Sequence, residues 1–153
     1  VFDGHGGSRA ADFCCDNMQK LFAKAVDVVS NMEQDDDASD AVVAFATLHK
    51  AMCLLDTEFL EIAEQRRIPD GTTAVVALSH GDQLVVGNIG DSRAVLVTTE
   101  DDVIALSDDH KPDRLDERRR IEAAGGFVAL KGVFRVMGIL AVSRAVGDLH
   151  LKR

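Results

Sequence analysis

Cysteine and proline are scarce in this sequence, tryptophan is missing, and no long apolar run occurs. The three cysteines are Cys14, Cys15 and Cys53. Their odd count, two of them adjacent and none in a Cys-x-x-Cys pair, argues against a disulfide framework or a thiolate zinc site. All three fall in helical patterns at or near apolar positions, where a free thiol behaves as a small hydrophobe, and this suits a reducing compartment. The longest apolar stretches, such as Ala41 to Ala46, fall far short of the ~20 residues a membrane span needs. Basic residues are outnumbered, 17 Lys and Arg against 26 Asp and Glu, for a net charge of −9. That balance works against phosphate-backbone binding and so against a nucleic-acid partner. It serves solubility first, and it also suits hard divalent cations, which are drawn to carboxylate oxygen. Gly4, Gly6 and Gly7 show neither G-x-G-x-x-G nor P-loop spacing, so a nucleotide loop is not supported. A G-x-S-x-G nucleophile elbow and calcium-loop spacing are absent too.

What is present reads as one soluble globular domain, since 153 residues can bury a core but do not promise two. No signal or transit segment is visible, but the chain opens inside a strand-like run, so this carries no weight. From Ser8 to Val29 the residues Ala11, Cys14, Met18, Leu21, Phe22, Ala25 and Val29 recur at steps of three and four, which predicts an amphipathic helix with Ser8 as N-cap. Glu33 to Asp40 is a polar connecting loop. A second helix starts at Ser39 or Asp40 with a stripe of Phe45, Leu48, Met52, Leu55, Phe59 and Ile62, and Pro69-Asp70-Gly71 stops it. Thr72 to Ser79 and Gln83 to Ile89 are strand-like and joined by the turn His80-Gly81-Asp82, a hairpin signal. Arg93 to Thr98 and Val103 to Leu106 form a second strand pair. Asp113 to Ala124 reads as a helix capped by Asp113 and ended by Gly125. Phe127 to Leu130 and Val133 to Met137 are two more short strands. Without internal repeats or low-complexity linkers, this order is an α+β layout with antiparallel sheet.

Five aspartates touch a glycine: Asp3, Asp70, Asp82, Asp91 and Asp148. Asp-Gly is a common turn signal, and Asp82 and Asp70 sit in turns. Asp3 and Asp91 differ, because each follows an apolar strand-like run and so lies where a strand ends. Carboxylates gathered at one sheet edge repel unless a cation sits between them, and with no Cys–His cluster that cation is Mg²⁺ or Mn²⁺. His5 is two residues from Asp3 and could be a ligand, a proton donor or an ordinary surface residue. His110, in "DDHKP", reads better as a loop residue bonded to backbone.

Taken in order, six stretches resemble the protein phosphatase 2C family, the metal-dependent serine/threonine phosphatases. They are "VFDGHGG" at Val1 to Gly7, "DGTTAV" at Asp70 to Val75, "GNIGDSR" at Gly87 to Arg93, "LSDDHKP" at Leu106 to Pro112, "ERRRIEAAGG" at Glu117 to Gly126, and "GILAVSRAVGD" at Gly138 to Asp148. The resemblance implies two antiparallel sheets in a sandwich flanked by helices, with a two-metal centre at the sheet edges. It implies that Asp3 bridges the two ions, that Gly4 lends its backbone carbonyl to one, that Asp91 helps hold a third, weaker ion, and that His5 is the general acid. The implied cofactors are Mg²⁺ or Mn²⁺, and the implied partners are phosphorylated proteins, with no nucleic acid, no membrane and a monomeric catalytic domain. An intracellular location, cytoplasmic or nuclear, follows as an expectation. The family's upstream phosphate-gripping Arg and acidic ligand, and its later aspartates and final strand, have no counterpart, so the sequence looks like a catalytic domain incomplete at both ends. A non-catalytic relative acting as a binding or scaffold module is the alternative. Plant hormone co-receptor members carry a flap Trp, whereas the comparable position here is Lys131, so that partnership is not implied. Lys111 to Met137 carries a local excess of Lys and Arg, open either to substrate steering or to pairing with neighbouring acids.

Overall fold

The structure, a computed structural model, describes residues 1–32 and 39–152. Residues 33–38 of the acidic loop expected after the first helix lie outside that range. The elements follow as β1 (Gly4–His5), α1 (Arg9–Met32), α2 (Asp40–Arg66), β2 (Gly71–Thr72), β3 (Ala74–His80), β4 (Gln83–Ile89), β5 (Val95–Val97), β6 (Val103–Ala105), α3 (Leu115–Ala123), β7 (Val128–Lys131), β8 (Val133–Val136) and β9 (Val146–Gly147), with a short 3₁₀ turn at Leu149–Leu151. Both long helices, the β3–β4 hairpin and the two later strand pairs stand where periodicity and turn chemistry put them. None of the described helices is long and apolar enough to cross a membrane.

The class is α+β and every strand pair is antiparallel. The described strands form a three-stranded ladder, β1–β2–β9, and three hairpins, β3–β4, β5–β6 and β7–β8. Hydrogen bonds past the strand ends join the first two of these. Val1 and Val75 exchange both backbone bonds, at 2.7 and 2.9 Å, and Thr73 N–H donates to Asp3 C=O at 3.0 Å. Residues 1–5 therefore run antiparallel to residues 71–75 in one register, and the opening "VFDGH" is a strand laid along "GTTAV".

The core lies between α1, α2 and this sheet. Ala10, Cys14 and Leu21 of α1 meet Leu48, Met52, Leu55, Phe59 and Ala63 of α2, with Ala74 and Val146 beneath. Phe59 is almost fully enclosed and its ring lies 5.5 Å from that of Phe13; burying such a side chain stabilises by ~1.5–3 kcal/mol. Burial pushes the Cys14 thiol up to about 12, helped by nearby Asp56 and Cys15, so it behaves as the inert hydrophobe expected. Cys15 and Cys53, by contrast, are exposed.

Three local expectations are corrected. Phe45 is 63% exposed and stacks on His49, while Ala44 takes the inward position. The buried residues of α2 are Ala44, Thr47, Leu48, Ala51, Met52, Leu55, Phe59 and Ala63, so the expected stripe holds at Leu48, Met52, Leu55 and Phe59 and its first member, Phe45, lies outside the enclosed part although it shares their helix face. Ser8 does not cap α1 with its hydroxyl, which donates to the Asp12 carboxylate at 2.8 Å. Asp113 does not cap α3 either: the helix starts at Leu115, after Arg114 in extended conformation. Its far end is as expected. Gly125 has φ 85°, and the Gly126 and Gly125 N–H groups donate to Ile121 and Glu122 carbonyls at 3.0 Å each, a Schellman closure.

Candidate active site

Asp3, Gly4 and His5 sit on the outer strand of the β1–β2–β9 ladder. Asp3 N–H donates to Thr73 Oγ1 at 3.2 Å, and that hydroxyl bonds Ser92 Oγ at 2.7 Å, which ties the first strand to the loop carrying Asp91. Residues 1 and 3 hold hydrogen-bonded positions against 75 and 73, so Gly4, at the alternate position, turns its own N–H and C=O away from β2. One cavity of about 420 Å³ is lined by Asp3, Gly4, His5, Thr73, Asp91, Arg135, Asp148 and His150 among others. Asp3, Asp91 and His5, named from the "DGHGG" and "GDSR" motifs, thus share one cleft with Asp148 of "SRAVGD", although 145 residue positions separate Asp3 from Asp148 in the numbering.

His5 Nε2 lies 2.6 Å from Asp148 Oδ2. The hydrogen bond to Asp148 raises the His5 pKa; burial opposes this, and the charges of Asp148, Asp3 and Asp91 add to the rise. The carboxylates around it therefore favour the imidazolium more than water favours it in a free imidazole. Asp148 is 4% exposed and is held from several directions. It has φ 50°, and its N–H donates to Asp70 C=O at 3.0 Å. The preceding Gly147 packs so closely that a Cβ there would meet Asp70 O at 2.5 Å and the Phe59 ring at 2.9 Å. Gly71 forms the floor of the pair: a Cβ on it would lie 2.1 Å from Asp148 Oδ2 and 2.4 Å from His5 Nε2. The glycine of "DGTTAV" is required by that approach.

Asp91 stands across the cleft, and its carboxylate is held by the Lys111 ammonium. Behind it, His110 is a structural residue, as its sequence context indicated. Its N–H donates to Gly90 C=O at 2.9 Å, and its Nδ1 accepts from Gly90 N–H at 3.2 Å. Burial, with nearby Arg144, lowers the His110 pKa and keeps the ring neutral and accepting. Asp70 faces away from the cleft: it accepts from Arg9 N–H at 3.1 Å and from the Arg9 guanidinium at 2.9 and 2.6 Å, and so caps α1.

The residues present suit a hard divalent cation. The Asp3 carboxylate has no hydrogen-bond or ion-pair partner among the described residues, and the Gly4 carbonyl points off the ladder. Both are oxygen donors, and Mg²⁺ is commonly bound through one or two carboxylates with water in its other positions. Among the described residues no group of three or more His, Cys, Asp or Glu side chains is placed to hold a metal by itself, so a cation at Asp3 and the Gly4 carbonyl would need water in its other positions.

Sequence reasoning left three residues of this region without a site role. Asp148 was visible as a Gly-Asp after a short apolar run, but its partner His5 is too distant in sequence to infer. Arg135 of β8 lines the cavity with one guanidinium N–H on Ile139 C=O at 2.7 Å and the others without partners among the described residues. Glu117 is almost fully buried in a stretch that reads as solvated. The basic excess around it is largely neutralised, by Arg114–Asp116, Arg118–Glu122, Arg120–Glu117 and Lys111–Asp91 pairs.

Known proteins are similar to this chain in sequence and in fold. The family model described as protein phosphatase 2C matches residues 1–153. The chain is 45% identical to "Probable protein phosphatase 2C 59" of Arabidopsis thaliana, covering 100% of this chain and 45% of that protein. It is 39% identical to "Protein phosphatase 1L" of Bos taurus, covering 99% and 41%. The chain thus spans less than half the length of these relatives. Among solved structures, serine-threonine phosphatase 2C from Toxoplasma gondii superimposes with a TM-score of 0.75 at 25% identity, over 99% of this chain and 58% of that one. A C. elegans sex determining protein gives 0.82 at 28% identity, over 98% and 35%. With the motifs in order, their residues gathered in one cleft and the whole length matched, the chain belongs to the protein phosphatase 2C family.

Proposed function

We propose that the complete protein hydrolyses phosphoserine and phosphothreonine in proteins with Mg²⁺ or Mn²⁺, and that this chain supplies Asp3, Gly4, His5 and Asp91 to the site. The observation that carries the reading is the His5–Asp148 pair beside an unpartnered Asp3 carboxylate in one cleft. Asp3 and the Gly4 carbonyl would hold the bridged cations, with Asp91 beside a further one; bound there, such cations supply an activated water and neutralise charge on the phosphoryl oxygens. His5, whose protonated form Asp148 favours, gives its proton to the departing seryl or threonyl oxygen, and that oxygen leaves as the neutral hydroxyl. Arg135 offers free N–H donors to phosphoryl oxygen from the cleft wall. The bond to Asp148 engages Nε2, which leaves Nδ1 of a ring that lines the cavity to carry the transferred proton. A binding or scaffold role is the second reading, favoured by the lack of a three-ligand group among the described residues.

The test uses the complete protein on a phosphoserine peptide and on p-nitrophenyl phosphate at saturating Mn²⁺. We expect Asp3→Asn to abolish turnover of both. His5→Ala is expected to lower kcat on the peptide by about 10²–10⁴-fold and to cost much less on the aryl ester, whose leaving group is stable as an anion. Equal penalties on both would remove His5 from the acid role. A wild-type protein without turnover would leave the binding reading in possession.

A further inference from the structure

Glu117 is 1% exposed, on a helix whose neighbouring positions are arginines in water. Its two carboxylate oxygens accept from Arg144 Nε at 3.1 and 3.0 Å and Arg144 NH2 at 2.7 Å, from Arg120 NH2 at 2.8 Å and from Ser143 Oγ at 2.7 Å. Arg120 NH2 also donates to Ser143 C=O at 2.6 Å. Burial would push the Glu117 carboxyl up, but the hydrogen bonds from Arg120, Arg144 and Ser143 outweigh it and hold the group well below the ordinary carboxylate range. It stays ionised wherever the protein works.

A buried carboxylate is costly to hold unless it is fully bonded, and α3 does not need this one. Ile121 already anchors the helix face, and an Arg120 pair at i, i+3 would form on the surface as well. The bonds that matter leave the helix, reaching Ser143 and Arg144, 26 and 27 residues on. From there two paths lead to the two walls of the cleft. Ser143 N–H donates to His110 C=O at 2.9 Å, and His110 is doubly bonded to Gly90, whose next residue is Asp91. In the other direction, two residues after Arg144, the chain enters β9 and ends at Asp148 on His5.

We propose that Glu117 is a positioning residue of the candidate active site, clamping Ser143 and Arg144 to α3 and thereby fixing the loop behind Asp91 against the segment that carries Asp148. Among the described residues the walls are also joined by the Ser143 N–H bond to His110 C=O, whose donor Glu117 holds in place through Ser143 Oγ, and by the Thr73–Ser92 pair. In this arrangement α3 acts as a brace: loss of its carboxylate lets residues 108–111 move relative to residues 143–148, and the spacing between Asp91 and the His5–Asp148 pair is no longer set. The inference rests on the proposed phosphatase reading for its catalytic consequence, but its structural content is independent of that reading.

The experiment compares the complete wild-type protein with Glu117→Gln, which keeps shape and loses charge, and with the milder Ser143→Ala. Amide hydrogen exchange is read residue by residue, and kcat and KM are measured on a phosphoserine peptide at saturating Mn²⁺. In both variants, exchange at Gly90, His110 and Ser143 should accelerate about tenfold or more relative to the amides of α1 and α2, the mark of a local opening. The kcat of Glu117→Gln should fall roughly ten- to a hundredfold, the size of effect that sub-ångström to 1 Å misplacement produces, while KM changes little. Uniform acceleration across the molecule, or none at these three amides, would overturn the proposal. So would selective acceleration with kcat within about twofold of an active wild type. If the wild type itself shows no turnover, the phosphatase reading fails and the exchange pattern alone decides whether Glu117 braces the cleft.

Discussion

Lys111 presents its ammonium to Asp91 at the rim of a cavity that also holds Asp3 and His5. Asp91 was expected from the motif to serve a weakly held cation, and here a side-chain cation already occupies its carboxylate. The two uses compete. Lys111 is about half exposed, and an exposed pair of this kind is worth up to ~1 kcal/mol. Replacing it with an uncharged side chain of similar length removes the competitor without opening the fold. Lys111→Met in the complete protein should therefore tighten the weakest Mn²⁺ site roughly two- to fivefold, the factor that such a pair allows, and Asp91→Ala should weaken it. Electron paramagnetic resonance titration of free Mn²⁺ reads both directly, and an unchanged affinity in Lys111→Met would show that the ammonium yields at no cost. At this scale the sequence was informative where a residue type carries its own chemistry in a local motif. Asp3 and Asp91 could be named because an acid beside a glycine at a strand end is recognisable in a few letters, whereas the roles expected of Gly4 and His5 came from the family resemblance. Asp148 as the His5 partner could not, since that bond closes across most of the chain. Glu117 was hidden by its arginines; the available signal was its i, i+4 spacing to Ile121, which places both on one helix face.

The helices and hairpins were legible because each carries a period: steps of three and four in α1 and α2, a Gly-Asp turn between two apolar runs in β3–β4. Of the first strand only the lead-in Val1-Phe2 was legible, and β9 was not, since two-residue strands have no period, and the break at Thr73 between β2 and β3 looks continuous in "GTTAVVALS". The start of α1 stands where Ser8 put it, but its capping side chain was misassigned for a physical reason. Its cap comes from Asp70, 61 residues beyond Arg9, where local pattern cannot reach. This long-range cap ties α1 to the turn that feeds β2, whose Gly71 lies under the His5–Asp148 pair, so helix stability and site geometry are coupled at one residue. The hydrogen bond from Arg9, against the opposing effect of burial, lowers the Asp70 pKa. A carboxyl lowered on folding contributes stability that is present above its ordinary value, near pH 4, and is lost as pH falls through the lower folded value. Asp70→Asn retains a capping side chain and loses the charge. Its urea midpoint should lie below that of the wild type at pH 6–7 by the equivalent of roughly 1 kcal/mol, the scale of a helix cap, and the gap should narrow steadily below about pH 4. A gap that stays constant down to pH 2 would mean that the carboxylate charge is not what holds the helix start.

Over the whole molecule, the apolar surface is unevenly shared between a dry side and a wet one. α1, α2 and the first sheet enclose each other, whereas the β5–β6 hairpin is exposed on both faces, with Val97 60%, Val103 66% and Ile104 47% accessible. Its cross-strand pairs, Val97 with Val103 and Leu96 with Ile104, point to opposite sides, so no single partner layer would cover both. The β7–β8 hairpin likewise presents Leu130 and Val133 to water. A two-stranded ribbon is marginal by itself, and open edges beside apolar side chains invite pairing between molecules. Purified as 153 residues, the chain should therefore bind a hydrophobic dye and self-associate with increasing concentration in sedimentation. It should bind Mn²⁺ weakly and turn over phosphopeptide little, because the proposed set of Asp3, Gly4 and Asp91 would hold a cation through few protein oxygens. Converting the Val97–Val103 pair to an opposite-charge pair, Val97→Lys with Val103→Glu, removes apolar area from one face and places compatible charges across the strands. That variant should stay monomeric at concentrations where the parent chain associates, with the far-ultraviolet signal of α1 and α2 unchanged. If the parent chain is already monomeric and dye-free, the exposed hairpin is tolerated in isolation; if the double variant associates as strongly as the parent, the contact lies elsewhere, with β7–β8 as the next face to charge.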